Sequence, residues 1–79
     1  MLYDPHLDLF LQVAELGSFS KAAEARYITP SAVIKQINLL EDELGIRLFE
    51  RTHRGLKLTK AGESLKKDAP ELILSLIHI

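Results

Sequence analysis

The stretch ARYITPSAVIKQI, residues 25–37, decides the fold because it ends one helix and starts another within a few residues. Thr29 precedes Pro30, and a residue before proline is pushed toward the extended conformation that a helix N-cap adopts. Pro30 suits the first helical position, where its missing N–H is not needed. The stretch therefore predicts two helices with only Ile28 and Thr29 between them.

The helix that begins at Pro30 has an apolar side and a polar side. Gly45 closes it, since glycine adopts the left-handed conformation at a helix end most easily. The apolar side follows the spacing of a buried stripe, with Val33, Ile37, Leu40 and Leu44. The opposite side carries residues that packing does not require, namely Ser31, Ile34, Lys35 and Asn38. This side is predicted to face a partner.

Two more helices precede this one. Asp4 and Pro5 repeat the cap-and-proline arrangement and predict a helix over residues 5–16, ended by Gly17. Its inward positions at helical spacing are Leu7, Phe10, Leu11 and Ala14. A short second helix is predicted to run through Tyr27, capped by Ser20 or, as the alternative, by Ser18.

After Gly45 the apolar residues alternate with polar ones, as they do in strands. The segments RLFER and GLKLT are joined by THRG, a loop of hairpin length with a glycine. We expect a two-stranded wing in which residues 48–51 pair with residues 56–58. The aromatic residues Phe10, Phe19 and Phe49 are expected in the core.

A fourth helix is predicted from Lys60 onward, with Thr59 as its cap and Leu65 facing inward. Pro70 either kinks this helix or ends it at Ala69, because a proline inside a helix removes one hydrogen bond. We expect the helix to resume after Pro70. The segment ELILSLIHI is strongly apolar and must be buried against something.

Composition excludes several classes of protein. The 79 residues allow one small domain and contain no cysteine, so disulfides and thiolate metal sites are excluded. The N-terminus lacks the features of a signal peptide, and the apolar segments are too short to span a bilayer. We expect a cytoplasmic protein with no cofactor.

Charge is distributed unevenly along the chain. The formal net charge is -1, yet residues 26–67 hold nine Lys or Arg against five acids. A locally basic region is what a nucleic-acid interface needs, although a solvated surface gives the same excess.

An enzyme is not expected. His6, His53 and His78 lie in separate predicted elements, and no nucleophile with its base or phosphate-binding loop is present. The acidic run at residues 41–43 is interpreted as a solvated turn, because neighbouring helical residues point in different directions.

The paired helices and the basic hairpin together predict a winged helix-turn-helix that binds DNA. Lys35 can donate to guanine or phosphate, Asn38 can bond an adenine edge, and Ser31 can reach a base or a backbone oxygen. The wing would follow the DNA backbone with its basic residues, which are Arg51, His53, Arg54 and Lys57. The alternatives are a solvated helix face and a winged-helix protein-interaction module. RNA binding is less favoured because stacking aromatic residues are lacking.

The motifs GSFSKAA, TPSAVIKQINLLEDELG, LFER and LTKAG, in this order, resemble the N-terminal domain of the LysR-type bacterial transcriptional regulators. The similarity extends over about residues 7–62. It implies a mainly α fold, with a winged helix-turn-helix of three helices and a two-stranded wing in residues 1–59. Residues 60–79 would begin a linker helix that forms a homodimer, and the dimer would bind double-stranded DNA with interrupted dyad symmetry. The larger effector-binding domain of the family has no counterpart in these residues, which fits a fragment or a truncated relative.

Position by position, the resemblance implies a set of DNA-contacting residues. These are Ser18, Ser20, Thr29, Pro30, Ser31, Ile34, Lys35, Asn38, Arg51 and Arg54. Ile34 departs from the family pattern, which usually has a small polar residue there. Because the thymine methyl is the apolar group available in the major groove, we hypothesise that Ile34 selects thymine at one position of each half-site.

Overall fold

The computed structural model describes the backbone of residues 5–53 and 55–77, and the side chains of residues 5–53 and 55–68. Four helices and a two-stranded antiparallel sheet form a mainly α fold, as predicted. In chain order the elements are α1 (Pro5–Leu16), α2 (Phe19–Arg26), α3 (Pro30–Leu44), β1 (Phe49–Thr52), β2 (Gly55–Leu58) and α4 (Lys60–Ile77).

The core lies where α1, α2 and α3 meet the start of the wing. The two alanines of α2 let α1 and α3 approach it closely, and the rings of Phe10 and Phe49 lie 5.3 Å apart. The buried apolar residues are Leu9, Phe10, Val13, Ala22, Ala23, Val33, Ile37, Leu40, Leu48 and Phe49. Phe19 is half-buried beside them.

The cap of α2 corrects the preferred prediction. Ser18, not Ser20, is the N-cap, and its hydroxyl oxygen accepts a hydrogen bond from Lys21 N at 3.2 Å. Ser18 has the extended backbone that an N-cap requires, with φ -160° and ψ 133°, whereas Ser20 already lies in the first turn. The helix ends at Arg26, one residue earlier than predicted. Tyr27 then adopts the left-handed conformation, so three residues rather than two separate α2 from α3.

The start and the end of α3 follow the prediction. Thr29 Oγ1 accepts a hydrogen bond from Ala32 N at 3.1 Å, and Gly45 ends the helix with φ 70°. Three positions of the apolar stripe are buried, but Leu44 is 46% exposed, so its predicted burial is wrong. Leu44 is the last residue of α3, and the inward position of that turn belongs to Glu41, which is 7% exposed.

The wing is shifted by one residue from its predicted boundaries. Phe49 pairs with Leu58, and Thr52 pairs with Gly55. Leu48 lies outside the ladder because its N–H donates to the Glu41 side chain and its carbonyl accepts from Thr59 N at 3.1 Å. The predicted loop glycine has φ 118°, a value that favours glycine.

α4 starts in close contact with the residue that precedes the wing. Thr59 Oγ1 accepts a hydrogen bond from Gly62 N at 3.0 Å and donates one to Arg47 O at 2.6 Å, so Thr59 caps the helix as predicted. A Cβ atom at Gly62 would lie 2.2 Å from Leu48 O, which leaves room only for glycine. The half-buried Leu65 packs against the core.

The helix continues through Pro70 as a single element to Ile77, so the alternative of an end at Ala69 is wrong. The predicted burial of the apolar segment at residues 71–79 falls on side chains outside the described part. Over the described residues, no helix has both the length and the apolar character that crossing a membrane requires.

Candidate nucleic-acid interface

The outer face of α3 presents the polar residues that the sequence placed there. Ser31, Lys35 and Asn38 are exposed, on the side of the helix opposite the buried stripe. Ile34 lies between them and is half-buried, so it is better covered than a freely exposed isoleucine. The face therefore combines a cation, an amide, a hydroxyl and one partly covered apolar side chain.

The start of α2 adds two serines. Ser20 is exposed, and Ser18 is half-buried. The Ser18 oxygen serves as the cap of α2, yet a hydroxyl that accepts a hydrogen bond can still donate its own hydrogen. Thr29 has the same double capacity at the start of α3. Each of these helix ends also carries free N–H groups and partial positive charge, which favour an anion.

A cleft joins the start of α2, the start of α3 and the wing. It is lined by Gly17, Ser18, Phe19, Ser20, Pro30, Ile34, Arg51, Thr52, Gly55 and Leu56. A second groove on the other side of Arg51 includes Asn38, Arg47 and Glu50. The structure thus brings six of the predicted site residues, among them Ser18, Ile34 and Arg51, onto one continuous surface with Asn38.

Arg51 stands between the two grooves on β1. Its guanidinium carbon lies 5.3 Å from the centroid of the Phe19 ring, a cation–π arrangement. Within the described residues, the ion pairs are Arg26–Asp8 and Arg47–Glu41, so neither Lys35 nor Arg51 is neutralised by a carboxylate. Both cations are exposed. The other predicted wing cation, Arg54, lies outside the described residues.

Glu41 corrects the interpretation of the acidic run as a solvated turn. Its carboxylate Oε2 accepts hydrogen bonds from Leu48 N at 2.7 Å and from Phe49 N at 3.3 Å. Its Oε1 lies 3.6 Å from the guanidinium of Arg47. Asp42 and Glu43 are exposed, as the interpretation required. Glu41 therefore fastens α3 to the first residues of the wing.

The sequence contained a signal for Glu41 that spacing alone could have revealed. Glu41 follows Val33 and Ile37 at intervals of four, which places it on the buried stripe. A carboxylate at such a position requires buried donors, and the strand start supplies two unpaired N–H groups. Phe19 was expected only in the core, and no pattern in the sequence pointed to its contact with Arg51.

The histidines do not form a site in the described part of the chain. His6 lies in α1 and His53 at the tip of the wing, whereas His78 falls outside the described residues. No group of three or more His, Asp or Glu side chains that could hold a metal ion is found among the residues described.

Comparison with known proteins agrees with this geometry. The family of bacterial regulatory helix-turn-helix proteins named lysR matches residues 5–63. A probable HTH-type transcriptional regulator of Klebsiella pneumoniae, LtrA, is 44% identical over 69 residues, which cover 87% of this chain and 22% of LtrA. The regulator YofA of Bacillus velezensis is 50% identical over 72 residues, which cover 91% of this chain and 25% of YofA. The chain thus spans about a quarter of the length of these relatives.

Two solved structures of DNA complexes are similar to the whole architecture. The CbnR DNA-binding domain bound to DNA is 38% identical with a TM-score of 0.81, covering 92% of this chain and 83% of that one. The BenM DNA-binding domain bound to its catB site 1 DNA is 38% identical with a TM-score of 0.82, covering 92% and 82%. The chain belongs to the LysR family of bacterial regulatory helix-turn-helix proteins, and its winged helix-turn-helix is a DNA-binding domain of the LysR type.

Proposed function

We propose that this chain binds double-stranded DNA as part of a bacterial transcriptional regulator, with α3 in the major groove and the wing along the sugar–phosphate backbone. One observation carries the proposal: the polar face of α3, the start of α2 and the unneutralised Arg51 form one continuous surface. The solved DNA complexes of CbnR and BenM support it because their DNA-binding domains have the same architecture.

The base-reading contacts are assigned to the outer face of α3. Lys35 would donate to guanine N7 and O6, and Asn38 would bond an adenine edge. Ser31, in the first turn of α3, would reach a base or a phosphate. Ile34 would contact a thymine methyl from its half-buried position beside Pro30.

The phosphate contacts are assigned to the residues that surround the cleft. Ser18 and Ser20 would donate from the start of α2, and Thr29 and Pro30 would place the start of α3 against the backbone. Arg51 would bind a phosphate from the wing. For Arg54, the family resemblance is the support for the same role.

The division of labour along the chain is also proposed. Residues 1–59 would form the DNA-binding unit, and residues 60–79 would begin a linker helix that pairs two copies. Two copies related by a two-fold axis would match interrupted dyad-symmetric DNA. Effector binding would belong to a further domain rather than to these 79 residues. This function would be exercised in the cytoplasm, where bacterial DNA is found.

The test is DNA affinity measured as a function of salt. Replacing Lys35 or Arg51 with Ala should weaken binding, and each lost phosphate contact should lower the salt slope by about one. Lys66→Ala, a change at an exposed α4 lysine outside the proposed contacts, is the control and should alter neither quantity. A chain with no salt-dependent affinity for duplex DNA would instead favour the protein-interaction module.

A further inference from the structure

We propose that Phe19 is a positioning residue for DNA binding, because its ring holds the guanidinium of Arg51 at the edge of the cleft where a phosphate would enter. This inference rests on the proposed function of Arg51. It assigns to an aromatic residue of α2 a role that its half-buried place in the core does not by itself require.

The geometry connects three elements through one ring. Phe19 lies at the start of α2, directly after the Ser18 cap. Its ring meets Phe49 of β1 edge-on, with centroids 5.8 Å apart and planes at 76°. The guanidinium carbon of Arg51, two residues further along β1, lies 5.3 Å from the same ring. Phe19 thus contacts both the buried start of the wing and its exposed cation.

The Phe19 ring is itself firmly placed. Phe49 is only 9% exposed and also contacts the fully buried Phe10, at 5.3 Å between ring centroids. The contact with Phe49 therefore transmits the position of the core to Phe19. Arg51, in contrast, lies on a strand of four residues, three of which are exposed, and no carboxylate within the described residues fixes its side chain.

The consequence is a preordered cation. An arginine side chain has many rotamers, and ordering it on binding reduces affinity. A guanidinium that already lies against an aromatic face loses less freedom when it meets a phosphate. The remaining N–H groups still point away from the ring plane's contact and can bind an oxygen. Phe19 would raise DNA affinity only through Arg51.

The experiment is a double-mutant cycle in the 79-residue chain, measured on a mixed-sequence duplex of about 30 base pairs over a range of salt concentrations. Phe19→Leu, which keeps an apolar side chain and removes the ring, should weaken binding about two- to five-fold, the factor that an exposed cation–π contact provides. Phe19→Tyr, which keeps the ring, should retain the parental affinity. In the Arg51→Ala background, Phe19→Leu should have no further effect.

Phe10→Leu is the matched control, because it also removes a ring that contacts Phe49 but does not touch Arg51. All variants are compared well below their unfolding temperatures. Phe10→Leu should lower thermal stability and leave the affinity of the folded protein unchanged. An equal loss from Phe19→Leu in both backgrounds would overturn the inference. So would an unchanged affinity for Phe19→Leu when Arg51→Ala weakens binding. If Arg51→Ala has no effect either, the proposed phosphate contact of the wing fails, and the role of Phe19 fails with it.

Discussion

At the scale of single residues, Tyr27 shows how the turn between α2 and α3 is made. Its backbone is left-handed, with φ 58° and ψ 39°, a region that non-glycine residues enter rarely. Ile28 N donates to Ala23 O at 3.0 Å, the hydrogen bond that closes a helix end of this kind. The Tyr27 side chain is 94% exposed, so it does not compensate for the strain by packing.

Tyr27→Gly is expected to stabilise the chain by about 0.5–1 kcal/mol, because glycine adopts this conformation without strain and the exposed ring contributes no burial. Thermal unfolding measures the change. Glu24→Gly is the matched control, since Glu24 is exposed on α2 at a helical conformation, and it should destabilise by about 1 kcal/mol. A lower unfolding temperature for Tyr27→Gly would show that the tyrosine has a stabilising contact.

Ile34 gives the second prediction at this scale. Ile34→Ser should cost about 1–3 kcal/mol on the preferred DNA site and relax only one base position, because direct readout is local. The measurement compares duplexes that carry thymine or uracil at that position, which differ only by the methyl group. The parent should prefer thymine, and the variant should lose the preference. An identical thymine-to-uracil ratio for both proteins would exclude the methyl contact.

At the scale of secondary-structure elements, Glu41 determines how the wing is held against α3. Its carboxylate bonds the two N–H groups at the start of the hairpin, which no neighbouring strand satisfies. The exposed Arg47 is its ion-pair partner at 3.6 Å, but a largely solvated pair contributes little. The two hydrogen bonds are therefore the larger contribution to the attachment of the wing.

Glu41→Ala is expected to destabilise the chain by about 2–4 kcal/mol, because it leaves two buried donors unpaired. Chemical denaturation measures the loss. Arg47→Ala, the matched control, removes the exposed partner only and should cost less than about 1 kcal/mol. Equal losses from the two substitutions would mean that the ion pair, rather than the hydrogen bonds, holds the wing.

The elements also show what the sequence could and could not predict. The caps at Thr29, Gly45 and Thr59 were predicted because each depends on a residue type and its immediate neighbours. The choice between Ser18 and Ser20 was wrong because both are good caps, and only the backbone conformation distinguishes them. Leu44 and Glu41 were misassigned because their burial depends on which distant segment covers the end of α3.

The site follows the same division. The exposed residues of α3 were identified from helical spacing, since the helix itself places them on one side. Phe19 was assigned to the core but not to Arg51. Its contact joins α2 to β1, and residues so far apart in sequence are brought together only by the packing of the whole domain.

At the scale of the whole molecule, the apolar end of α4 leads to a prediction about assembly. Residues 60–67 contain Ala61 and Leu65, which pack against the core, so a chain ended after Lys67 should still fold. The removed segment carries Leu72, Ile73, Leu76 and Ile77, apolar residues that recur at helical intervals. These residues are the proposed contact between two copies.

The chain ended after Lys67 is expected to sediment as a monomer at micromolar concentration, whereas the full chain should sediment as a dimer. Its affinity for a two-half-site duplex should fall about 100-fold or more, because two linked domains bind far more tightly than one. On a single half-site the two chains should bind alike. A full chain that sediments as a monomer would contradict the proposed pairing.

The contact between Gly62 and Leu48 has a geometric consequence for such a pair. α4 has 18 residues and is therefore a rod about 27 Å long, whose near end is seated on the carbonyl of Leu48. A rod of this length acts as a lever, so a tilt of about 5° at Gly62 moves the far end by about 2 Å. In two copies joined at their far ends, this displacement doubles and changes the separation of the two α3 helices. The missing side chain of one glycine would then set the spacing of the DNA half-sites that the pair can span.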